Sequence, residues 1–269
     1  MPASEAVDPA SVAGHLAAAV REAGLLARSM FRTPIKNWTK GESSPVSEAD
    51  IAVDRLLHER LTAPSPEFGW LSEETADNPA RLDARRVWIV DPIDGTRAYI
   101  AGEPDWAVSA ALVENGRPVA ACLYAPISDE FFMAVAGKGA TRNDVPIAVS
   151  PGASLAQARI AGPRRFLERL AAFTPQFAVM PRLHSLALRL ARVAQGAFDA
   201  AIAGVDSHDW DLAAADLLVH EAGGALTGAG GEEVIYNLPV SRHGMLVAAG
   251  RDRHATLVEL LRDERLAST

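Results

Sequence analysis

The chain has 269 residues, of which 49% are hydrophobic, which is enough to bury a core in one large domain or in two closely packed ones. Its net charge of −8 argues against a nucleic-acid-binding surface, and no apolar run reaches the roughly 18 residues that a membrane span needs. The single cysteine, Cys122, excludes an intramolecular disulfide, and its apolar neighbours indicate a buried thiol. The first residues lack a basic-then-apolar signal pattern, so we expect a cytoplasmic protein.

The first sixty residues predict two helices with a loop between them. Apolar residues recur at helical spacing over residues 10–31, and Thr33-Pro34 should end that helix. The polar, glycine-containing stretch Lys40–Pro45 predicts a solvated loop. Residues 48–61 predict a second amphipathic helix, with Asp50 in its first turn. Taken alone, Asp50 is explained by capping or solvation of that helix.

Acidic residues follow two apolar runs in the next part of the chain. Trp70–Ser72 predicts a short strand that ends in Glu73-Glu74, and Val87–Val90 runs into the hexapeptide Asp91–Thr96. The hexapeptide combines two carboxylates, a glycine and a hydroxyl. Mg²⁺ prefers oxygen ligands, and glycine lets backbone N–H groups approach an anion closely. The hexapeptide therefore predicts adjoining metal and phosphate sites, although a polar turn explains it equally well in isolation.

The middle of the chain predicts a β-hairpin and then a change of pattern. Residues 106–114 and 117–125 are apolar and β-branched, and Asn115-Gly116 between them is a strong hairpin signal. A strand follows at 131–135. Near residue 150 the pattern changes from consecutive strands to strands that alternate with helices. This change predicts an N-terminal α+β domain over 1–150 and a C-terminal α/β domain over 151–269. In the second domain we expect strands at 159–161, 198–203 and 245–249, and helices at 165–173, 185–195, 210–222 and 255–262.

The helix at 210–222 begins with a second group of acids. Asp211 lies at its start, where a carboxylate is stabilising without any metal. If Asp209 caps the helix instead, Asp211 is free to point into a cleft. Trp210 is expected to pack in the core, and Asp216 and Glu221 are expected on the polar face.

Four segments in a fixed order carry a family resemblance. Together they resemble the inositol monophosphatase family, the lithium-sensitive Mg²⁺-dependent phosphomonoesterases; the segments are Pro45–Asp50, Trp70–Glu74, Asp91–Thr96 and Trp210–Gly224. The resemblance covers the chain from about Asp50 to Gly224. It implies an α+β fold, a layered αβαβα sandwich, and commonly a homodimer. It also implies hydrolysis of a small phosphorylated metabolite by a water that two or three Mg²⁺ ions activate, without a phosphoenzyme and with inhibition by Li⁺.

The resemblance also assigns roles to the acids. It implies a first Mg²⁺ held by Glu73, Asp91 and the carbonyl of Ile93, and a second held by Asp91, Asp94 and Asp211. Glu73 would also contact the attacking water.

Further roles concern that water and the substrate. Thr96 would share the water, with its hydroxyl oriented by Asp50. The backbone N–H groups of Gly95 and Thr96 would receive the phosphate beside Asp94 and Asp211. His184 and Ser185 precede the helix that lines the substrate pocket in the family, so they are candidate substrate contacts.

Two departures from the animal inositol monophosphatases bear on the substrate. Arg97 follows the hexapeptide, as in the bisphosphate-nucleotidase and histidinol-phosphatase branches. Residues 202–209 lack the glutamate that binds a sugar hydroxyl in the inositol enzymes, and Asp206 is a possible substitute. Arg164 and Arg165 either bind a second phosphate or form a solvated helix start. We therefore rank an inositol-phosphate-like substrate first, adenosine 3′,5′-bisphosphate second and histidinol phosphate third.

Two other functional classes are considered. A haloacid-dehalogenase-type phosphatase has the pattern Asp-x-Asp-Gly-Thr, whereas two residues separate Asp91 from Asp94 here. A regulatory binding protein that keeps the fold without turnover is the other class, and the complete set of acids argues against it.

Overall fold

The part of the chain that the structure describes forms α-helices packed around two principal β-sheets. It is a computed structural model, which describes residues 9–41, 44–172, 174 and 176–262. The helices are α1 (Pro9–Met30), α2 (Glu48–Thr62), α3 (Thr96–Ala101), α4 (Arg164–Ala171), α5 (Leu186–Ala194), α6 (Asp209–Glu221) and α7 (Arg251–Arg262), with a 3₁₀ helix at Pro79–Asp83. None of them is long and apolar enough to cross a membrane.

Sixteen strands are found in the same described residues. In chain order they are β1 (Asn37–Lys40), β2 (Ser44–Ser47), β3 (Gly69–Ser72), β4 (Arg86–Asp94), β5 (Ala107–Glu114), β6 (Arg117–Ala125), β7 (Glu130–Val135), β8 (Ala140–Arg142), β9 (Val145–Pro146), β10 (Arg159–Ala161), β11 (Ala178–Val179), β12 (Ala200–Ala203), β13 (Ser207–His208), β14 (Gly224–Gly228), β15 (Arg242–His243) and β16 (Leu246–Gly250).

The first principal sheet has seven strands in the order β3-β4-β5-β6-β7-β8-β9. Only β3 and β4 are parallel in it, and the later neighbours are antiparallel. The predicted hairpin between β5 and β6 is confirmed. Asn115 and Gly116 at its tip have φ of 50° and 76°, the left-handed conformation that a two-residue hairpin turn requires. Cys122 in β6 is fully buried, as expected.

The second principal sheet has five strands in the order β11-β10-β12-β16-β14. The strands β11, β10 and β12 are parallel, whereas β16 runs antiparallel to both of its neighbours. The carboxyl ends of the three parallel strands therefore meet at one edge of this sheet. Such an edge is where open α/β sheets commonly bind their ligands.

Three groups of buried side chains define the layers. The first joins α1 and α2 to one face of the seven-stranded sheet, with Leu16, Leu57 and Trp88 among its members. The second lies between the sheets and contains α5 and α6 together with residues of both sheets. The third joins α4 and α7 to the outer face of the five-stranded sheet. These layers confirm the α+β, αβαβα sandwich. The two-domain division near residue 150 stays a prediction.

The predicted loop at Lys40–Pro45 is only partly correct. Lys40 ends β1 and Ser44 begins the antiparallel partner β2, whereas Gly41 lies in a turn; Glu42 and Ser43 lie outside the described residues. Strand β1 lacks the alternation of buried and exposed residues that marks most strands, since all four of its residues are exposed. Helix α3 was not predicted, and Phe173, the expected end of α4, also lies outside the described residues.

The expected polar position of Asp216 is wrong. This residue of α6 is buried, and its carboxylate accepts a hydrogen bond of 2.9 Å from the hydroxyl of buried Tyr236. Burial raises the pKa of Asp216 to about 7, while the bond from Tyr236 acts in the opposite direction. Glu221 lies near the end of the same helix, where it accepts hydrogen bonds from the N–H groups of Gly137 and Gly139.

Candidate active site

The first feature of the site is an irregularity in β4. Asp91 pairs with Ser109 and Asp94 with Ala107. Two residues of β4 therefore lie between these pairs, but only one residue of β5 does. In a regular strand, side chains three residues apart point to opposite faces, and an inserted residue removes that alternation. The N–H of Ile93, inside the irregular segment, donates to Asp91 Oδ1 at 3.0 Å. The β-bulge thereby lets Asp91 and Asp94 approach the same site.

Asp211 joins these two residues from helix α6. One carboxylate oxygen from each of Asp91, Asp94 and Asp211 lies within 4.8 Å of the others. Asp211 Oδ2 accepts a hydrogen bond of 2.6 Å from the N–H of His208, the residue that precedes the helix. Asp211 therefore closes its own helix start and also faces the other two acids.

The alternative in which Asp209 caps α6 is wrong, because His208 is the residue that precedes the helix. The Asp209 carboxylate instead accepts hydrogen bonds from the N–H of Asn237 and the Nε2 of His243. These contacts connect the first turn of α6 to the chain after β14. Trp210 is half-buried against the central core, as expected, and stacks on the His208 ring with a centroid separation of 4.5 Å.

Helix α5 binds Asp94. The Ser185 hydroxyl donates to Asp94 Oδ2 at 2.5 Å, and the N–H groups of Leu186 and Ala187 lie 3.2 and 2.6 Å from its carboxylate oxygens. Ser185 also accepts from the N–H of Leu188 and so caps α5. Because Ser185 is fully buried, the structure connects it to the acid rather than to the open side of the cleft. Its role as a substrate contact stays a prediction.

Asp50 and Thr96 form a buried pair beside these acids. The Thr96 hydroxyl lies 3.0 Å from Asp50 Oδ1 and 2.9 Å from the carbonyl oxygen of Ile93. Asp50 Oδ2 accepts from the N–H and the hydroxyl of Ser47 at the start of α2. Asp50 therefore stabilises the helix start and also contacts the Thr96 hydroxyl, and its part in catalysis stays a prediction. Burial raises the Asp50 pKa, and the bonds from Ser47 and Thr96 oppose that effect.

Glu73 completes the acidic side of the cleft at the end of β3. The Ser44 hydroxyl donates to its Oε1 at 3.4 Å, and Lys40 Nζ donates to its backbone carbonyl at 2.6 Å. Lys40 also pairs with Glu74 at 3.1 Å, so Glu74 is not simply a solvated acid. Burial, followed by the charge of Glu74, raises the pKa of Glu73 to about 7.

The charges of the acids make the site fit a metal. Burial is the main cause that raises the pKa of Asp91, Asp94 and Asp211, and repulsion among the acids adds to it at Asp91 and Asp211. Buried carboxylates at this separation are stable as anions only with positive charge nearby. A hard divalent cation, which takes oxygen ligands, supplies that charge. Glu73 and the carbonyl of Ile93 are further oxygen donors beside the three aspartates.

Gly95 joins β4 to α3 in a conformation that other residues rarely adopt. Its φ is +97°, and a Cβ atom there would lie 2.9 Å from the carbonyl oxygen of Asp105 and 3.2 Å from the backbone nitrogen of Ser185. A side chain at this position would be strained and would also clash with the neighbouring backbone. The glycine therefore lets the chain turn directly from Asp94 into the start of α3.

These groups line a cleft of about 230 Å³, called here the acidic cleft. The predicted residues on its wall are Glu73, Asp91, Asp94, Gly95, Thr96, Arg97, His184 and Asp211. Arg182, which precedes the same helix as His184, also lies on the wall. His184 donates its N–H to Asp105 Oδ2 at 2.6 Å, which fixes its backbone at the rim.

The remaining candidates lie elsewhere. Arg164 pairs with Glu168 at 2.6 Å, and the Arg165 guanidinium lies 4.6 Å from the Phe166 ring centroid. Asp206 forms an exposed ion pair with Arg242. Among the residues that the structure describes, none of these three lines the acidic cleft.

Comparison with known proteins agrees with this geometry. The family model described as the inositol monophosphatase family matches residues 8–266. An inositol-1-monophosphatase from Rhizobium meliloti is 36% identical over 204 residues, which are 71% of this chain and 75% of the relative. A 3′(2′),5′-bisphosphate nucleotidase CysQ from Haemophilus influenzae is 28% identical over 233 residues, 80% of this chain and 84% of the relative.

A solved structure extends the comparison to the fold. The extragenic suppressor protein suhB from Bartonella henselae superposes with a TM-score of 0.83 at 30% sequence identity, over 94% of this chain and 99% of that protein. The family match therefore covers the core, the β4 bulge and the acids of α6 together. Membership implies a phosphatase that uses a divalent metal, and the acidic cleft carries oxygen ligands suited to one. The chain belongs to the inositol monophosphatase family.

Proposed function

We propose that the protein hydrolyses a small phosphate monoester with Mg²⁺, by direct attack of water and without a phosphoenzyme. The observation that carries the proposal is the meeting of three buried aspartates from β4 and α6, with carboxylate oxygens within 4.8 Å of one another, beside Gly95 and Thr96. The balanced reaction forms one bond from the water oxygen to phosphorus and breaks the bond from phosphorus to the ester oxygen. The products are an alcohol and inorganic phosphate.

The ligand roles follow from the positions of the acids. Glu73, Asp91 and the Ile93 carbonyl would hold one Mg²⁺, and Asp91, Asp94 and Asp211 a second. When bound, the two or three ions neutralise the phosphate, acidify the water and stabilise the leaving oxygen. Li⁺ is expected to inhibit by occupying the second site.

Thr96 and Asp50 would handle the water and its proton. The hydroxyl of Thr96 is 3.0 Å from Asp50, so a water that donates to Thr96 can pass its proton to the buried carboxylate. Glu73, on the same wall, would orient the other side of that water. The N–H groups of Gly95 and Thr96 would hold the phosphate oxygens.

The substrate candidates are the inositol-phosphate-like esters, adenosine 3′,5′-bisphosphate and histidinol phosphate. His184 lies at the rim of the cleft, where it would contact the leaving group. Arg97 also lies on the wall, which favours a substrate with more negative charge than inositol monophosphate carries. The bisphosphate-nucleotidase relative supports this second candidate. We further propose a cytoplasmic homodimer that binds neither nucleic acid nor membrane.

Phosphate release from the three candidate esters tests the proposal. With Mg²⁺ present, the protein should turn over at least one of them, and Asp94→Asn should abolish that turnover. Turnover that Asp94→Asn leaves intact would contradict the assignment of the acids. A folded, Mg²⁺-binding protein that hydrolyses none of the three would favour a regulatory binding role. Trapping of beryllium fluoride on an aspartate would instead favour the phosphoenzyme mechanism.

A further inference from the structure

A second and larger cavity adjoins the acidic cleft. It has a volume of about 820 Å³ and is called here the apolar cavity. Gly162 and Met180 on its wall directly follow the parallel strands β10 and β11, so the cavity lies at the carboxyl ends of those strands. Arg182 lines both the cavity and the acidic cleft, which makes the two spaces neighbours. A substrate whose phosphate sits in the cleft can extend into the cavity past Arg182.

The wall of the cavity is mostly apolar. Helix α4 contributes Leu167 and Ala171, and the segment around β11 contributes Phe177, Val179 and Met180. Val179 is 61% exposed, which is unusual for a large aliphatic side chain in a concave surface. Concave sites of this size with apolar walls and a few polar groups are typical of small-molecule binding. A polyol such as inositol would leave its hydroxyls without partners against these side chains.

Two arginines on the cavity wall, Arg182 and Arg189, form no ion pair among residues 9–41, 44–172, 174 and 176–262. Burial lowers the pKa of Arg189, and the charge of Asp94 opposes that effect. Arg189 also donates a hydrogen bond of 2.8 Å to the carbonyl of Leu183. Arg164, which also lies on the wall, is paired with Glu168. Guanidinium groups that keep their donors available suit a phosphate or carboxylate. The cavity therefore offers an apolar body and one cationic end next to the acidic cleft.

We propose that the apolar cavity binds the leaving group of a nucleoside bisphosphate, with the base against Leu167, Phe177 and Met180 and the second phosphate on Arg182 and Arg189. The inference rests on the proposed function, because the scissile phosphate must occupy the acidic cleft. Two features of this substrate class match the cavity: its planar ring system packs against the apolar wall, and its second phosphate binds the two arginines. This assignment makes Arg182 a specificity-determining residue.

Three esters separate the two elements. Adenosine 3′,5′-bisphosphate carries both the base and a second phosphate, adenosine 3′-phosphate carries only the base, and glycerol 2-phosphate carries neither. We expect kcat/KM to fall in that order. Arg182→Ala should lower kcat/KM for the bisphosphate by about tenfold more than it lowers kcat/KM for glycerol 2-phosphate, because the charge-assisted hydrogen bond to the second phosphate is lost only with the bisphosphate.

Two further variants complete the test. Met180→Glu should lower kcat/KM for both nucleotides but not for glycerol 2-phosphate, because it places a charge where the base packs. Arg165→Ala is the matched control, since this exposed arginine lies in α4, which contributes to the cavity wall, but is not itself on the wall. It should leave the order of the three esters unchanged. Equal losses on all three esters with Arg182→Ala, or glycerol 2-phosphate as the best substrate of the unmodified protein, would overturn the inference.

Direct binding keeps the inference testable if no ester is hydrolysed. Adenosine 5′-phosphate is the product that the bisphosphate would leave in the cavity. Calorimetry should show that the full chain binds it, that Arg182→Ala weakens binding by about tenfold or more, and that Arg165→Ala does not. If the protein binds adenosine 5′-phosphate but hydrolyses none of the esters, the result contradicts the proposed function and not the cavity assignment. Absence of product binding contradicts the cavity assignment, whatever the activity on glycerol 2-phosphate.

Discussion

The acidic cleft and the apolar cavity share Arg182 but are built in different ways. The cleft draws its acids from the ends of β3 and β4 and the first turn of α6, and it holds Asp94 and Asp211 with hydrogen bonds from Ser185 and His208. The cavity draws on α4, β11 and the segments around them, and apolar side chains form most of its wall. The reaction chemistry is thus held by a buried hydrogen-bond network, whereas the leaving group would be selected by an open surface. Substitutions in the cleft should change the rate with every ester, and substitutions in the cavity should change the choice among esters.

The largest expected effect is a loss of kcat that distinguishes two buried aspartates, Asp91 and Asp216. Asp91→Asn should lower kcat by more than about 1,000-fold with every ester, because the metal that Asp91 would bind supplies several kcal/mol of transition-state stabilisation. Asp216→Asn, which also changes a buried acid, should keep kcat within about threefold, since Asp216 contacts Tyr236 rather than the cleft. Steady-state phosphate release measures both. Equal losses in the two variants would show that burial of acids, rather than membership of the cleft, determines the effect.

Asp216 also predicts a dependence of stability on pH outside the cleft. Its folded pKa of about 7 is above the ordinary value of 3.8, so the folded protein binds the proton more tightly than the unfolded chain. This contribution to stability is fully present below about pH 4 and is lost as the pH rises through 7. The difference in free energy of unfolding between the unmodified protein and Asp216→Asn should therefore shift by up to roughly 4 kcal/mol between pH 4 and pH 8. Urea titrations across that range measure it, and a difference that stays constant would contradict the assignment of Asp216 as the titrating group.

Thr96 tests whether the hydroxyl beside Asp50 takes part in the reaction. Thr96→Val should lower kcat by about 100-fold, because it removes the group that connects water to Asp50 while it keeps the shape of the side chain. Thr96→Ser keeps the hydroxyl and should restore most of the rate. The ratio of the two kcat values is the measurement. A serine variant as slow as the valine variant would assign Thr96 a packing role only.

The smallest effect concerns the backbone that supports the cleft. Gly95→Ala should destabilise the fold by about 2 kcal/mol, since a Cβ atom would be strained at φ +97° and would contact the Asp105 carbonyl. Gly14→Ala is the control, because no atom lies within 4 Å of a Cβ atom there, and it should stabilise helix α1 by about 0.5–1 kcal/mol. Chemical denaturation measures both. A neutral result for Gly95→Ala would mean that the turn into α3 can adopt another conformation.

The contrast between the acidic cleft and the apolar cavity also explains how much of the site could be predicted from the sequence. Asp91, Asp94 and Thr96 are contiguous, and Asp211 follows a recognisable tryptophan, so short motifs indicated most of the acidic cleft. Periodicity predicted individual helices and strands, whereas the layered fold followed from the family resemblance. The apolar wall comes from residues with no common spacing, and their meeting depends on how β10 and β11 align. Asp216 was misplaced for a similar reason, because only the packing of Tyr236 over α6 shows that this acid is buried.

The central claim is that the buried acids of the cleft are arranged for a divalent cation. The most direct test measures the unfolding temperature against Mg²⁺ concentration for the unmodified protein and for Asp91→Asn. Because binding to the folded state raises stability by mass action, the unmodified protein should become more stable as Mg²⁺ is added. Asp91→Asn should begin at a higher unfolding temperature without metal, since it relieves repulsion among the acids, and should respond little to Mg²⁺. An unmodified protein that ignores Mg²⁺, or an Asp91→Asn variant that responds equally, would contradict the claim.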